Sequence, residues 1–88
     1  MKIKYEFIVS EVAGETVAIS TGANQPSVFV VLNPTAKLLW GILTEGTDVD
    51  TMVAALTEEY DGLDEETARE DVEAFVQVLR DKDILDES

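Results

Sequence analysis

Few side chains in this sequence could carry out catalysis. The chain has no histidine and no cysteine, so the commonest general base and the thiolate nucleophile are both missing. A serine becomes a nucleophile only beside a base, and no histidine is present to activate one. The serines are Ser10, Ser20, Ser27 and Ser88. The sequence therefore predicts a protein that is not an enzyme.

The carboxylates do not match a metal-binding motif. Asp48 and Asp50 resemble the first ligands of a calcium loop, but Met52 occupies the third ligand position and no glycine follows at the turn. Helix capping explains both aspartates. Phosphate-binding glycine motifs are also missing. We expect no metal and no cofactor.

The elements that would position a binding site begin with strands. In the first segment Tyr5, Phe7 and Val9 alternate with Glu6, Ile8 and Ser10, and in the second Val17 and Ile19 alternate with Thr16, Ala18 and Ser20. Ala13-Gly14 predicts a hairpin turn between these two strands. Residues 16–36 hold no charged side chain, although 28% of the chain is charged. This stretch contains Val28–Leu32, a third strand that is apolar at every position.

Three predicted helices follow the strands. Asn33-Pro34 starts the first, Asp48 the second and Asp64 the third, each with a capping side chain. The third helix has an apolar arc wider than one contact needs, because Ala74 and Val78 lie beside its core stripe. Three strands followed by three helices predict one α+β domain over residues 1–88, compatible with a winged helix-turn-helix.

The third strand carries the functional hypothesis. A strand that is apolar throughout is typical of a strand buried on both faces, and this chain looks too small to bury both. In a simple meander the strand lies at the sheet edge, where its free N–H and C=O groups can pair with an extended peptide between Pro26 and Pro34. Two alternatives remain: the strand is central, or the terminal Ile84-Leu85 segment covers it.

Charge excludes other functions. The net charge is −13, of which residues 1–36 carry −1 and residues 37–88 carry −12. Negative charge repels phosphate backbones, so we expect no nucleic-acid partner. There is no signal-peptide pattern and no apolar run of about 20 residues, which predicts a soluble cytoplasmic domain without a membrane partner.

Several short segments, spread over nearly the whole chain, occur in a characteristic order. They are Gly14–Ala18, Val31–Ala36 leading into Leu39-Trp40, Leu43–Gly46, Val53–Tyr60, Asp71–Phe75, Leu79 and Ile84-Leu85. Their order and spacing resemble the PqqD-like family. The resemblance implies a small winged helix-turn-helix of three strands and three helices.

The resemblance also implies a function in natural-product biosynthesis, that of a recognition element for ribosomally made, modified peptides. In such proteins the leader segment of a precursor peptide adds to the third strand, beside the third helix. It is thereby presented to a modifying enzyme such as a radical SAM protein, or to a leader peptidase. The peptide-binding residues that the resemblance implies here are Val28, Phe29, Val30, Val31, Leu32, Asp71, Ala74, Phe75 and Val78.

Three further expectations follow. Asp83 stands where relatives often have glycine, so the third helix could end differently. Glu70 and Asp71 make the helix wall acidic, which favours a leader with Lys or Arg near its apolar anchors. Val30→Asp is expected to abolish leader binding and to leave the fold near native.

Two alternatives stay open at this point. An unliganded edge strand can pair with its own copy, so a homodimer is possible. The other functional interpretation is an acidic winged-helix interaction or regulatory module unrelated to peptide modification.

Overall fold

The structure is a computed structural model that describes residues 1–22, 24 and 27–87. The predicted strand limit at Pro26 and the terminal Ser88 lie outside these residues. Within the described ranges, five strands and three helices follow one another along the chain. They are β1 Lys2–Ile3, β2 Phe7–Val12, β3 Glu15–Ser20, β4 Phe29–Leu32, α1 Pro34–Glu45, α2 Val49–Glu59, α3 Glu65–Asp81 and β5 Leu85–Asp86.

Strands β2, β3 and β4 form an antiparallel sheet in that order. Val9 pairs with Ala18, which pairs with Val30 on its other side. Ala13 and Gly14 form the two-residue turn between β2 and β3, with φ angles of 53° and 83°. Positive φ at both positions is typical of a type I′ turn, which matches the twist of the strands. Glycine takes this conformation freely, whereas Ala13 takes it against its steric preference.

The chain ends form a separate two-stranded sheet. Ile3 of β1 pairs with Leu85 of β5, and the N–H of Lys4 donates to the carbonyl of Ile84 at 2.8 Å. The terminal segment therefore covers β1 and not β4. Together with the strand order, this pairing removes both alternatives for the third predicted strand.

All three helices begin at the predicted caps. Asn33 Oδ1 accepts the N–H of Ala36 at 2.7 Å, and Pro34 follows at the first helical position. Asp48 and Asp64 each accept the backbone N–H three residues later, also at 2.7 Å. The predicted helix starts are thus confirmed.

The helices pack on one face of the sheet. Ala18, Val30 and Leu32 of the sheet are buried in one cluster with residues of all three helices. Trp40 is 3% exposed, as expected for a core residue. Its ring packs edge-on against the ring of Phe7, with 5.0 Å between the ring centroids. The largest side chains with no more than trace exposure are Leu39, Leu43, Met52, Leu56, Val72, Val76, Leu79 and Ile84.

The end of α3 departs from helical geometry at Asp83. This residue has φ of 55°, a conformation that glycine adopts more easily. Its N–H donates to the Arg80 carbonyl at 3.0 Å, and the N–H of Ile84 donates to the Leu79 carbonyl at 3.2 Å. These two bonds define a Schellman motif. Asp83 therefore ends α3 as a glycine would, so the substitution does not change how the helix stops.

The predicted fold class is confirmed: a three-stranded antiparallel sheet followed by three helices, an α+β winged helix-turn-helix with the β2–β3 hairpin as the wing. The two-stranded β1–β5 sheet is an addition. In the described part of the chain, no helix has the length and apolar character needed to cross a bilayer.

Candidate functional site

Strand β4 lies at the edge of its sheet. It pairs with β3 on one side, and no described strand pairs with its other side. The N–H of Ser20 donates to the Val28 carbonyl at 3.0 Å, which identifies Ser20 and Val28 as a hydrogen-bonded pair. Because such pairs alternate in an antiparallel ladder, Val30 and Leu32 also direct their backbone groups to β3. The N–H and C=O groups of Phe29 and Val31 therefore point outward, and we call them the open edge.

The side chains of β4 alternate between two environments. Val30 and Leu32 are each 4% exposed and belong to the core. Phe29 is 64% exposed and Val31 is 51% exposed, on the face of the sheet away from the helices. Val28, which directly precedes the strand, is half-buried. The cover on both faces that the apolar run predicted is present on one face only.

The burial of Val30 reverses one expectation. A carboxylate at this position would enter the core, so Val30→Asp would unfold the domain and would not test binding. The predicted residues of β4 thus divide into two kinds. Phe29 and Val31 offer backbone groups to a partner, whereas Val30 and Leu32 hold the strand against the helices.

The four predicted residues of the third helix come together in one cleft. Asp71, Ala74, Phe75 and Val78 line a cavity of about 310 Å³, which we call the α3 cleft. Helical spacing explains the grouping, because residues three and four apart share a face. The lining is completed by Asn33, Thr35, Ala36 and Leu39, from the β4–α1 junction and the first turns of α1.

These junction residues were not predicted as part of the site. The signal was present in the sequence, since Asn33-Pro34 starts α1 directly after β4 and leaves no linker. A helix that begins at the end of an edge strand must place its first turn beside that edge. The four β4 residues Phe29 to Leu32 are not among the lining of the α3 cleft.

The position of α3 is set by burial and by its first turn. Ala68, Val72 and Leu79 are fully buried, which turns the neighbouring flank with Val78 outward. At the N-terminus, the Thr67 N–H donates to the carboxylate of Asp64, and this bond lowers the pKa of Asp64 below its usual value. The cap lies about two helical turns before Asp71.

The lining of the α3 cleft is apolar with one acidic end. Among its described lining residues, Asp71 alone carries a charge, and Glu70 lies beside it on the exposed surface. Phe75 is half-buried and packs on the core, while Val78 is 43% exposed. Such a lining suits an apolar side chain with a cation nearby.

The outer face of the sheet is a second apolar surface. Ile8 pairs with Ile19, and Ile19 pairs with Phe29, so the three side chains form one row across the sheet. Their exposures are 56%, 38% and 64%. Val17 and Val31 form the next row. This face ends at the open edge, so a strand added there would extend it.

The described residues contain no group of three or more acidic side chains arranged to hold a metal ion. What the site offers is an unpaired strand edge, an apolar cleft and one carboxylate. These are elements for binding an extended chain.

Comparisons with known proteins agree with this geometry. Residues 9–85 match the family model described as coenzyme PQQ synthesis protein D (PqqD). The solved structure of TbiB1 in complex with the TbiA(beta) leader peptide is similar over 100% of this chain and 98% of that chain, with a TM-score of 0.78 and 25% sequence identity. No curated protein matches the chain. Because the family model spans most of the sequence, this chain belongs to the PqqD family.

Proposed function

We propose that residues 1–88 form a single non-catalytic domain that binds the leader segment of a ribosomally made precursor peptide. The domain presents this segment to a modifying enzyme, such as a radical SAM protein, or to a leader peptidase. The observation that carries the proposal is the open edge of β4 next to the α3 cleft. The similarity to TbiB1, which was solved with a leader peptide, supports the same occupant here.

Binding proceeds by strand addition. The leader backbone pairs with the outward N–H and C=O groups of Phe29 and Val31, and such bonds contribute about 0.5–1.5 kcal/mol each. Side chains alternate along the added strand. Those on the helix side enter the α3 cleft against Ala74, Phe75 and Val78, and supply specificity.

Presentation uses the other face. The remaining leader side chains lie next to Phe29 and extend the exposed row with Ile8 and Ile19. The modifying enzyme then meets one continuous apolar surface, made partly by the domain and partly by the leader. Large exposed apolar patches on small proteins commonly serve as such interfaces.

A second copy of the chain competes for the same edge. Unpaired strand edges associate with one another when no ligand is bound, so we propose a weak homodimer in the absence of leader. Leader binding and dimer formation through β4 exclude each other.

The test is titration of fluorescent leader peptides, taken from precursor genes next to this gene, into the purified protein. Val31→Pro removes one outward N–H and leaves the β3–β4 bonds intact, because proline is tolerated on the free side of an edge strand. We expect the affinity to fall about tenfold, the loss of roughly one hydrogen bond.

Val31→Ala is the matched control, because it changes the side chain and keeps the N–H. Its affinity should stay within about threefold of the parent. Parent-like binding by Val31→Pro would show that the leader does not pair with β4. Failure of every leader peptide to bind would favour the interaction module unrelated to peptide modification.

A further inference from the structure

Two separate cavities, one near each end of β4, have a residue of opposite charge from the α3 side in their linings, and we call the path between them the groove. At one end, Asp71 lies in the α3 cleft with Asn33, the residue that follows β4. At the other end, Lys82 lines a cavity of about 280 Å³ with the first residue of β4 and the two residues before it. These residues are Ser27, Val28 and Phe29.

The two walls of the groove run in opposite directions and match in length. From Asp71 to Lys82 the helix rises about 17 Å at about 1.5 Å per residue. From Val28 to Asn33 the strand rises about 17 Å at about 3.3 Å per residue. Lys82 keeps a helical backbone with φ of −85° and ψ of −2°, so it continues the stripe through Phe75 and Val78.

Lys82 forms no salt bridge within the described part of the chain. Arg80 beside it donates to Glu87, and Lys4 pairs with Asp83 at 3.4 Å, but no described carboxylate lies within salt-bridge distance of Lys82. A ligand carboxylate can therefore pair with Lys82 without breaking an existing ion pair.

We propose that the groove selects a leader by the order of its charges: a Lys or Arg first, apolar anchors next and an Asp or Glu last. The inference rests on the proposed function and adds the chain direction in which the leader lies along the groove. Antiparallel pairing is the more stable arrangement, and it places the earlier leader residue at Asp71 and the later one at Lys82. Both charges must face α3, so they are an even number of residues apart, four or six.

The experiment uses three synthetic peptides of identical length with a leucine at the central helix-facing position. The first has Lys four residues before Glu, the second has Glu four residues before Lys, and the third has Gln at both positions. We expect the first to bind about fivefold more tightly than the second at low salt, and the difference to shrink in high salt.

Protein variants test whether Asp71 and Lys82 determine the preferred order of charges in the peptide. Asp71→Lys combined with Lys82→Glu keeps the net charge and should invert the preference. Glu73→Lys is the control for charge on the same helix, because Glu73 is exposed outside the groove lining. It should keep the preference for the first peptide.

The outcomes separate the two proposals. Binding of all three peptides with equal affinity, or a preference that survives the double exchange, overturns the charge order and leaves strand addition standing. Failure of all three peptides to bind overturns both.

Discussion

At the scale of single residues, neighbours on β4 have opposite roles. Val30 is 4% exposed and Val31 is 51% exposed, although both are valines in an unbroken apolar run. The alternation of the strand separates them, because successive side chains point to opposite faces. Their backbone groups alternate as well, toward β3 for Val30 and toward the open edge for Val31. Val30 therefore contributes to folding, whereas the next residue, Val31, is available for the proposed binding.

This division predicts different consequences for the same substitution. Val30→Asp places a carboxylate in the core and should cost more than about 4 kcal/mol, which approaches the whole stability of a small domain at the low end of the usual range. Val31→Asp, its matched control, should cost about 1 kcal/mol or less on the exposed face. Circular dichroism and urea unfolding distinguish the two. A folded Val30→Asp variant would contradict the assignment of Val30 to the core.

At the scale of elements, the site depends on where α3 begins and ends. Asp64 caps its first turn, and the Schellman motif around Asp83 closes its last. Between them lies the stripe that forms the cleft wall. The Arg69 guanidinium bridges to Asp50 of α2 at 3.0 Å, but both groups are exposed, so burial of Val72 and Leu79 matters more for the helix position.

The cap of α3 predicts a pH dependence. The bond from the Thr67 N–H lowers the pKa of Asp64 in the folded state, so its stabilising effect is complete above the unfolded pKa of about 3.9. The effect is lost as the pH falls through the lower folded pKa. Asp64→Asn keeps an acceptor oxygen that does not titrate in this range.

We therefore expect the parent to be more stable than Asp64→Asn at neutral pH, and the gap to close in acid. Urea midpoints at about pH 7 and about pH 2.5 measure it, on either side of the carboxyl range. At both pH values Asp64→Ala should be less stable than Asp64→Asn, because alanine has no side-chain oxygen to accept the Thr67 N–H. A gap that widens in acid would contradict the role of the charged cap.

At the scale of the whole molecule, charge and apolar surface act against each other. A net charge of −13 keeps copies apart, whereas the open edge and the row of Ile8, Ile19 and Phe29 favour association. Salt screens the repulsion and leaves the apolar contact. The balance between monomer and dimer should thus depend on ionic strength.

Sedimentation equilibrium tests this balance. The mean mass of the unliganded protein should rise toward twice the monomer mass between about 20 mM and about 500 mM NaCl. Val31→Pro should stay monomeric at both salt concentrations, because it removes an outward N–H. Val31→Ala should behave as the parent. An equal rise for Val31→Pro would place the contact away from β4.

Much of the fold was predictable because its signals are local. Caps at Asn33, Asp48 and Asp64 depend on residues within one turn, and the hairpin depends on the two residues of its turn. Helical spacing predicted that Ala74 and Val78 lie beside the core stripe of α3, and the family resemblance implied a wall of Asp71, Ala74, Phe75 and Val78. The structure brings these four residues into one cleft. The role of these residues in peptide binding remains a proposal.

The sequence by itself determined the order of the three main-sheet strands and the three helices, the acidic charge and the scarcity of catalytic groups. Only the tertiary structure decided that β5 pairs with β1, that no described strand pairs with the second side of β4, and that Lys82 lies at the end of β4 opposite to Asp71. The reason is physical. An apolar run looks the same in a central strand and in an edge strand, and the pairing of distant segments depends on how the whole chain closes around its core.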